Sequence, residues 1–225
     1  MPGKAKGLSC KEDVLSPQEL DMLLLVSISL RDKFIVYCLV YAGLRVSELK
    51  HLRRNWVNLE ETSVTILTRQ YCTCAECNYL NPKTGKCKHG VWKQKTKKGA
   101  RTILIHPMLL PIMREFLVNN GSLGLSKVTI WAHVENGQPL TRYYLAHRIR
   151  TYGRKAKISG IRCSPYTLRH SFAVEYLRRG GDVFTLQHIL GHSTLEMIQH
   201  YAELLNSDME TQQKAFSPLK SNNIG

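Results

Sequence analysis

Residues 34–42, Phe-Ile-Val-Tyr-Cys-Leu-Val-Tyr-Ala, form an almost uninterrupted apolar run that stops at Gly43. A helix that is apolar on every side has to be surrounded by protein, so this segment predicts a central helix with the rest of the chain wrapped around it. The run is far shorter than the roughly 18 residues needed to cross a bilayer, and no other apolar run approaches that length. Met1-Pro-Gly-Lys-Ala-Lys-Gly lacks the apolar stretch of a secretory signal, so a cytoplasmic protein with no membrane partner is expected. With 43% hydrophobic residues among 225, the chain can bury one substantial core.

Helix signals dominate on both sides of a β-rich middle. Ser16-Pro17-Gln18-Glu19 reads as a capping box with proline at the first helical position, opening a helix through Leu20–Leu30. Val46–Leu52 reads as a short helix, Pro107–Val118 as another, and Leu140–Lys157 as a basic one carrying Arg142, Arg148, Arg150, Arg154, Lys155 and Lys157. Ser164-Pro165 opens a helix that stops at Gly180-Gly181, and Asp182 caps a short helix ending at Gly191. Ser193-Thr-Leu-Glu196 is a further capping box, opening a helix that carries Tyr201. Between Trp56 and Ile105 the β-branched runs Val64–Thr68, Val91–Lys95 and Arg101–Ile105 predict a small antiparallel sheet, with Lys97-Lys98-Gly99-Ala100 as a hairpin turn between the last two. The fold class is therefore mainly α with a small antiparallel β-sheet. Residues 1–14 read as a flexible basic arm and 220–225 as a tail.

Thirty-two Lys and Arg against 17 Asp and Glu give a formal charge of +15 and a pI near 9.6. Such an excess favours a polyanionic partner, above all double-stranded DNA. In the last third, Tyr166-Thr-Leu-Arg169-His170, Leu190-Gly-His192 and Gln199-His200-Tyr201 follow in order. A tyrosine is a poor nucleophile with a phenol pKa of about 10, and Arg and His around it fit a site that stabilises oxyanions. That combination points to chemistry on a phosphate.

Ala42-Gly-Leu-Arg45-Val-Ser-Glu48-Leu, the lysine-rich turn ending in Arg101-Thr-Ile-Leu-Ile, Ser164-Pro-Tyr166-Thr-Leu-Arg169-His170, Leu190-Gly-His192-Ser and Tyr201 together resemble the tyrosine recombinases, over residues 15–219. The resemblance implies a tyrosine recombinase catalytic-domain fold and site-specific DNA recombination: integration, excision or resolution by strand cleavage and rejoining through a 3′-phosphotyrosyl intermediate. It assigns Arg45 and Arg169 as the catalytic arginines, His192 as the third-box histidine and Tyr201 as the nucleophile. Two arginine forks would bind the non-bridging oxygens of a pentacovalent phosphorus, with Glu48, three residues along the helix, orienting Arg45. The family places a general-acid lysine on the hairpin; Lys95 fits its pattern best, with Lys97 on the same strand face as rival and Lys98 also in reach. Tyr166 stands where most members have histidine. Its hydroxyl can hydrogen-bond a phosphate oxygen, but it does not accept a proton near neutral pH, and His170 and His200 are possible substitutes.

Seven cysteines, an odd number, argue against a disulfide framework. Cys74, Cys77, Cys87 and His89 can supply a tetrahedral Cys3His zinc site, with Cys72 as spare or alternative ligand and free thiols as the competing reading. The segment 70–91 then reads as a zinc-knuckle insertion in the sheet; catalysis itself needs no cofactor.

The family's N-terminal core-binding domain has no counterpart before residue 15, so the chain reads as a truncated form, half of a split gene or a minimal catalytic unit. A homotetramer on DNA, weakly associated or monomeric without it, is the expected assembly. Two other readings stay open: a DNA-binding regulator of the same fold with little or no activity, and a type IB topoisomerase-like relaxer.

Overall fold

The computed structural model describes residues 14–72, 75–80, 82, 89–94, 99–121, 130 and 140–191. Helix α1 spans Pro17–Val26, and its capping box is formed: Ser16 Oγ accepts from the Glu19 amide, and the Glu19 carboxylate accepts from the Ser16 amide. The helix stops four residues short of the predicted Leu30. Ser27 caps its C-terminus, donating its hydroxyl to the Leu24 carbonyl at 2.7 Å, and Ser29 caps a new helix by accepting from the Asp32 amide. Each serine offers the backbone a hydrogen bond that competes with continuing the helix.

Helix α2, Leu30–Tyr41, is the predicted centre, with Phe34, Ile35, Val36, Cys38, Leu39 and Val40 all buried. It packs against α1, against α5 (Leu109–Gly121) and against α7 (Pro165–Arg178). Phe34 stacks on Phe116 of α5 at 4.5 Å between centroids. Burial of one such ring stabilises by about 2–3 kcal/mol, and the stack adds roughly 1. Helix α6, Arg142–Lys155, is held on α2 by Arg148, which pairs with the buried Asp32. Burial would raise the Asp32 carboxyl pKa, but hydrogen bonds from Arg148 and Ser29 outweigh it and hold the group below its usual range. Arg148 is thus a structural residue, while Arg142, Arg150, Arg154, Lys155 and Lys157 face solvent.

Helix α3 (Val46–His51) leads through a single 3-10 turn (Arg54–Trp56) to strands β1 (Val57–Asn58), β2 (Ser63–Ile66) and β3 (Arg69–Tyr71). A short α4, Ala75–Asn78, precedes β4 (Val91–Lys93) and β5 (Arg101–Leu104). The predicted single sheet is two antiparallel sheets, β1-β2-β5 and β3-β4. Val91–Lys95 and Arg101–Ile105 are therefore not paired as a hairpin among the described residues. β4 pairs with β3, and β5 crosses to β2 with Ile66 opposite Arg101. Alternation along β5 turns Arg101 and Ile103 inward and Thr102 and Leu104 outward. Helix α8, Val183–Leu190, starts on Asp182 and ends at Gly191 in the left-handed conformation. It packs on α7 and β5, and Leu186 and Leu190 join Ala173, Val174 and Leu177 in a small second cluster.

Candidate active site

Three arginines from distant parts of the chain converge on the C-terminal end of α8. Arg101 donates from Nε to the Ile189 carbonyl at 2.6 Å, Arg169 from Nη2 to Leu190 at 2.7 Å, and Arg45 from Nη2 to Gly191 at 2.7 Å. The last carbonyls of a helix have no intrahelical donors and carry the negative end of its dipole, so they are natural seats for guanidinium groups. Arg169 also donates to the carbonyl of Gly43, just before Arg45. Consecutive carbonyls thereby fix the spacing of Arg45 and Arg169.

Glu48 completes the arrangement from below. Arg45 is the N-cap residue of α3, and Glu48 accepts from its amide at 2.8 Å and its guanidinium at 3.0 Å. Arg101 binds the same carboxylate with both Nη atoms, at 2.8 and 2.9 Å, and Gln94 donates to it at 3.0 Å. Burial would push the Glu48 carboxyl up, but Arg101, with Arg169 and Arg45 behind it, outweighs burial and brings its pKa to about 2. One carboxylate among three guanidinium groups leaves a net positive site. Arg101 and Glu48 are fully enclosed, whereas the Arg45 side chain retains 19% exposure. An anion can therefore reach Arg45 while Arg101 serves only as its foundation.

Gly191 permits this close assembly. Its φ is +62°, and a Cβ there would lie 2.8 Å from Nη1 of Arg101 and 3.1 Å from Nη1 of Arg45. Arg101 and Gln94 were missed in the sequence. The signal for Arg101 was its place in the alternation 101, 103, 105, which puts a charge on the inward face of a strand.

Tyr166, in the first turn of α7, is 47% exposed, and its ring lies parallel to that of His170 at 6.0 Å. His170 is buried at 3% exposure, packed one turn below. Lys95, Lys97, His192, His200 and Tyr201 lie outside the described residues, with His192 directly following Gly191 in sequence. Of the expected metal ligands, Cys74 and Cys87 also lie outside them. Cys77 is fully buried and His89 is exposed. The structure groups Cys77 with Cys72 and with His51 of α3, a histidine that sequence reasoning did not single out.

Comparison with known proteins bears on the family and the fold. The model of the Phage integrase family matches residues 13–207. The chain is 30% identical over 179 residues to the tyrosine recombinase XerD of Yersinia pestis, covering 80% of this chain and 52% of that protein. It is also 30% identical over 175 residues to the tyrosine recombinase XerA of Pyrococcus furiosus, covering 78% and 51%. It thus spans about half the length of the curated relatives it matches. A crystal structure of XerA recombinase superposes with a TM-score of 0.69 at 24% identity, over 98% of this chain and 68% of the other. The catalytic domain of bacteriophage HP1 integrase superposes at 0.52 and 22% identity, over 93% and 98%. The expected catalytic-domain fold is thereby established.

Proposed function

Because the chain belongs to the phage integrase family, we propose that it carries out site-specific DNA strand exchange, cutting and rejoining duplex DNA through a 3′-phosphotyrosyl intermediate. The observation that carries this reading is the seating of Arg45 and Arg169 on consecutive carbonyls at the end of α8, with Glu48 behind Arg45. Tyr201 Oη attacks the scissile phosphorus as its phenol proton passes to His200 or His170 in place of Tyr166, the bond to the 5′-oxygen breaks, and Arg45 and Arg169 neutralise the non-bridging oxygens of the pentacovalent state. Lys95, or Lys97 in its place, gives the departing 5′-oxygen its proton, and His192 donates a hydrogen bond to the phosphate. The phosphotyrosyl bond conserves the energy of the broken linkage, so attack by the 5′-hydroxyl of another strand rejoins DNA with no nucleotide consumed.

Tyr166 contributes a hydroxyl beside the phosphate rather than a base. The exposed Arg142, Arg150, Arg154, Lys155 and Lys157 contact the DNA backbone. Strand exchange needs paired sites, so the active assembly is a homotetramer on two duplexes, acting on DNA in the cytoplasm. Solved Tn1549 transposon integrase and XerH recombinase structures with DNA or their own DNA substrate support a duplex partner.

A duplex nicked close to the cleavage site tests the enzyme reading, because loss of the short leaving fragment traps the adduct. The wild-type chain should form a covalent 3′ adduct and Tyr201→Phe none. No adduct from the wild-type chain on duplexes that it binds specifically would point instead to a DNA-binding regulator. Plasmids with two sites separate recombination from relaxation alone.

A further inference from the structure

We propose that His51, Cys72 and Cys77 form a structural zinc site that fastens the 70–91 segment to the helix carrying Glu48. Their ligand atoms lie within 4.8 Å of one another, all three residues are buried, and His51 Nε2 stands 3.4 Å from Cys77 Sγ. A zinc ion with Zn–S of about 2.3 Å and Zn–N of about 2.0 Å in tetrahedral array sets those two atoms about 3.5 Å apart. The spacing therefore matches the edge of a zinc tetrahedron.

The histidine is oriented for this task. Its Nδ1 lies 2.6 Å from the backbone carbonyl of Ser47, which can only accept, so Nδ1 carries the proton and Nε2 presents its lone pair to the sulfurs. A metal-bound imidazole characteristically has such a carbonyl behind it. The His51 ring also stacks on Trp92, which packs on Trp56, closing the site with apolar walls. The electrostatics favour the same occupant. Two thiolates and a neutral imidazole balance the charge of Zn2+, so the ion enters a buried site with no net charge left uncompensated.

The surrounding backbone brings the ligands together from three places. The Cys72 amide donates to the Gly90 carbonyl at 2.6 Å, the Gly90 amide to the Cys77 carbonyl at 3.1 Å, and Asn78 Nδ2 to the Cys72 carbonyl at 3.1 Å. Arg53, two residues beyond His51, donates to the carbonyl of Tyr71. Zinc here closes the base of the β3–β4 segment and joins it to α3, three residues from Glu48. Among the described residues, His51, Cys72 and Cys77 are the ones grouped, and they supply three of the four positions of a tetrahedral zinc; His89, on the exposed turn, is not in that group.

The test reads metal rather than cleavage, so its outcome is independent of the strand-exchange reading. The purified full chain is expected to hold about one zinc per chain by elemental analysis. Replacement by cobalt should give the thiolate charge-transfer band and intense visible bands of a tetrahedral site. His51→Ala and Cys77→Ser are each expected to lose zinc to background, while His89→Ala keeps it with an unchanged cobalt spectrum. A folded wild-type chain that binds neither zinc nor cobalt overturns the proposal, as does full zinc retention by His51→Ala or loss of zinc by His89→Ala.

Discussion

Five N–H groups converge on the two oxygens of Glu48: the Arg45 amide and guanidinium, both Nη atoms of Arg101, and Gln94. A glutamine has one acceptor oxygen and no charge, so Glu48→Gln leaves the enclosed Arg101 guanidinium without its counter-ion. Breaking a buried pair in this way is expected to cost about 3 kcal/mol or more at neutral pH, measured by denaturant unfolding. The pH dependence follows from the depressed carboxyl, whose pKa is about 2 in the fold against 4.5 unperturbed. Its stabilisation is complete above about pH 4.5, shrinks as pH falls through that range, and is gone near 2. The gap between wild type and Glu48→Gln should therefore narrow between pH 4.5 and 2. A gap that stays constant over that window would contradict the ion-pair account. Cleavage should fall on the order of 100-fold in the same variant, because a displaced Arg45 no longer meets the phosphate.

At the scale of elements, α8 acts through its end rather than its face. Gly191→Ala combines left-handed strain of about 1–2 kcal/mol with a methyl pressed on two arginines that Glu48 already holds. Gly160 supplies the control, since its φ is +78° but a Cβ there meets nothing within 4 Å. Gly160→Ala is expected to lose only the strain in thermal melts and Gly191→Ala more than that, and only Gly191→Ala should lose cleavage, by about tenfold or more. Equal cleavage by the two would show that α8's end does not position the arginines. What the sequence revealed here follows from range. The Arg45–Glu48 pair lies within one helical step and was legible, as were the apolar centre α2 and the capped starts of α1, α7 and α8. Arg101 reaches Glu48 and Ile189 across 53 and 88 residues, and no local pattern encodes that approach. His51 likewise looked like an ordinary helical residue until β3 and α4 brought two cysteines to it. The α1–α2 break and the division into two sheets turned on serine caps and on strand pairing, which β-propensity alone does not decide.

Across the whole molecule, the site draws on the α2–α3 junction, β5, α7 and α8, and it exists only when these are packed together. Its two sequence-legible arginines are positioned by a partner carboxylate, a strand arginine and a helix terminus that are themselves far apart in the chain. Under the proposed strand exchange, an overall charge of +15 would gather DNA at the surface, and the arginine pair would distinguish the reactive phosphodiester from the rest of the backbone. Single-turnover adduct formation on matched duplexes, one native and one with a methylphosphonate at the scissile position, tests that claim most directly. Arg45→Ala and Arg169→Ala should each lose on the order of 100-fold on the native duplex. Each should recover part of that loss on the methylphosphonate, where one negative oxygen is gone, while Tyr201→Phe forms no adduct on either. Arg45→Ala and Arg169→Ala cutting native DNA at the wild-type rate, or losing equally on both duplexes, would contradict the account.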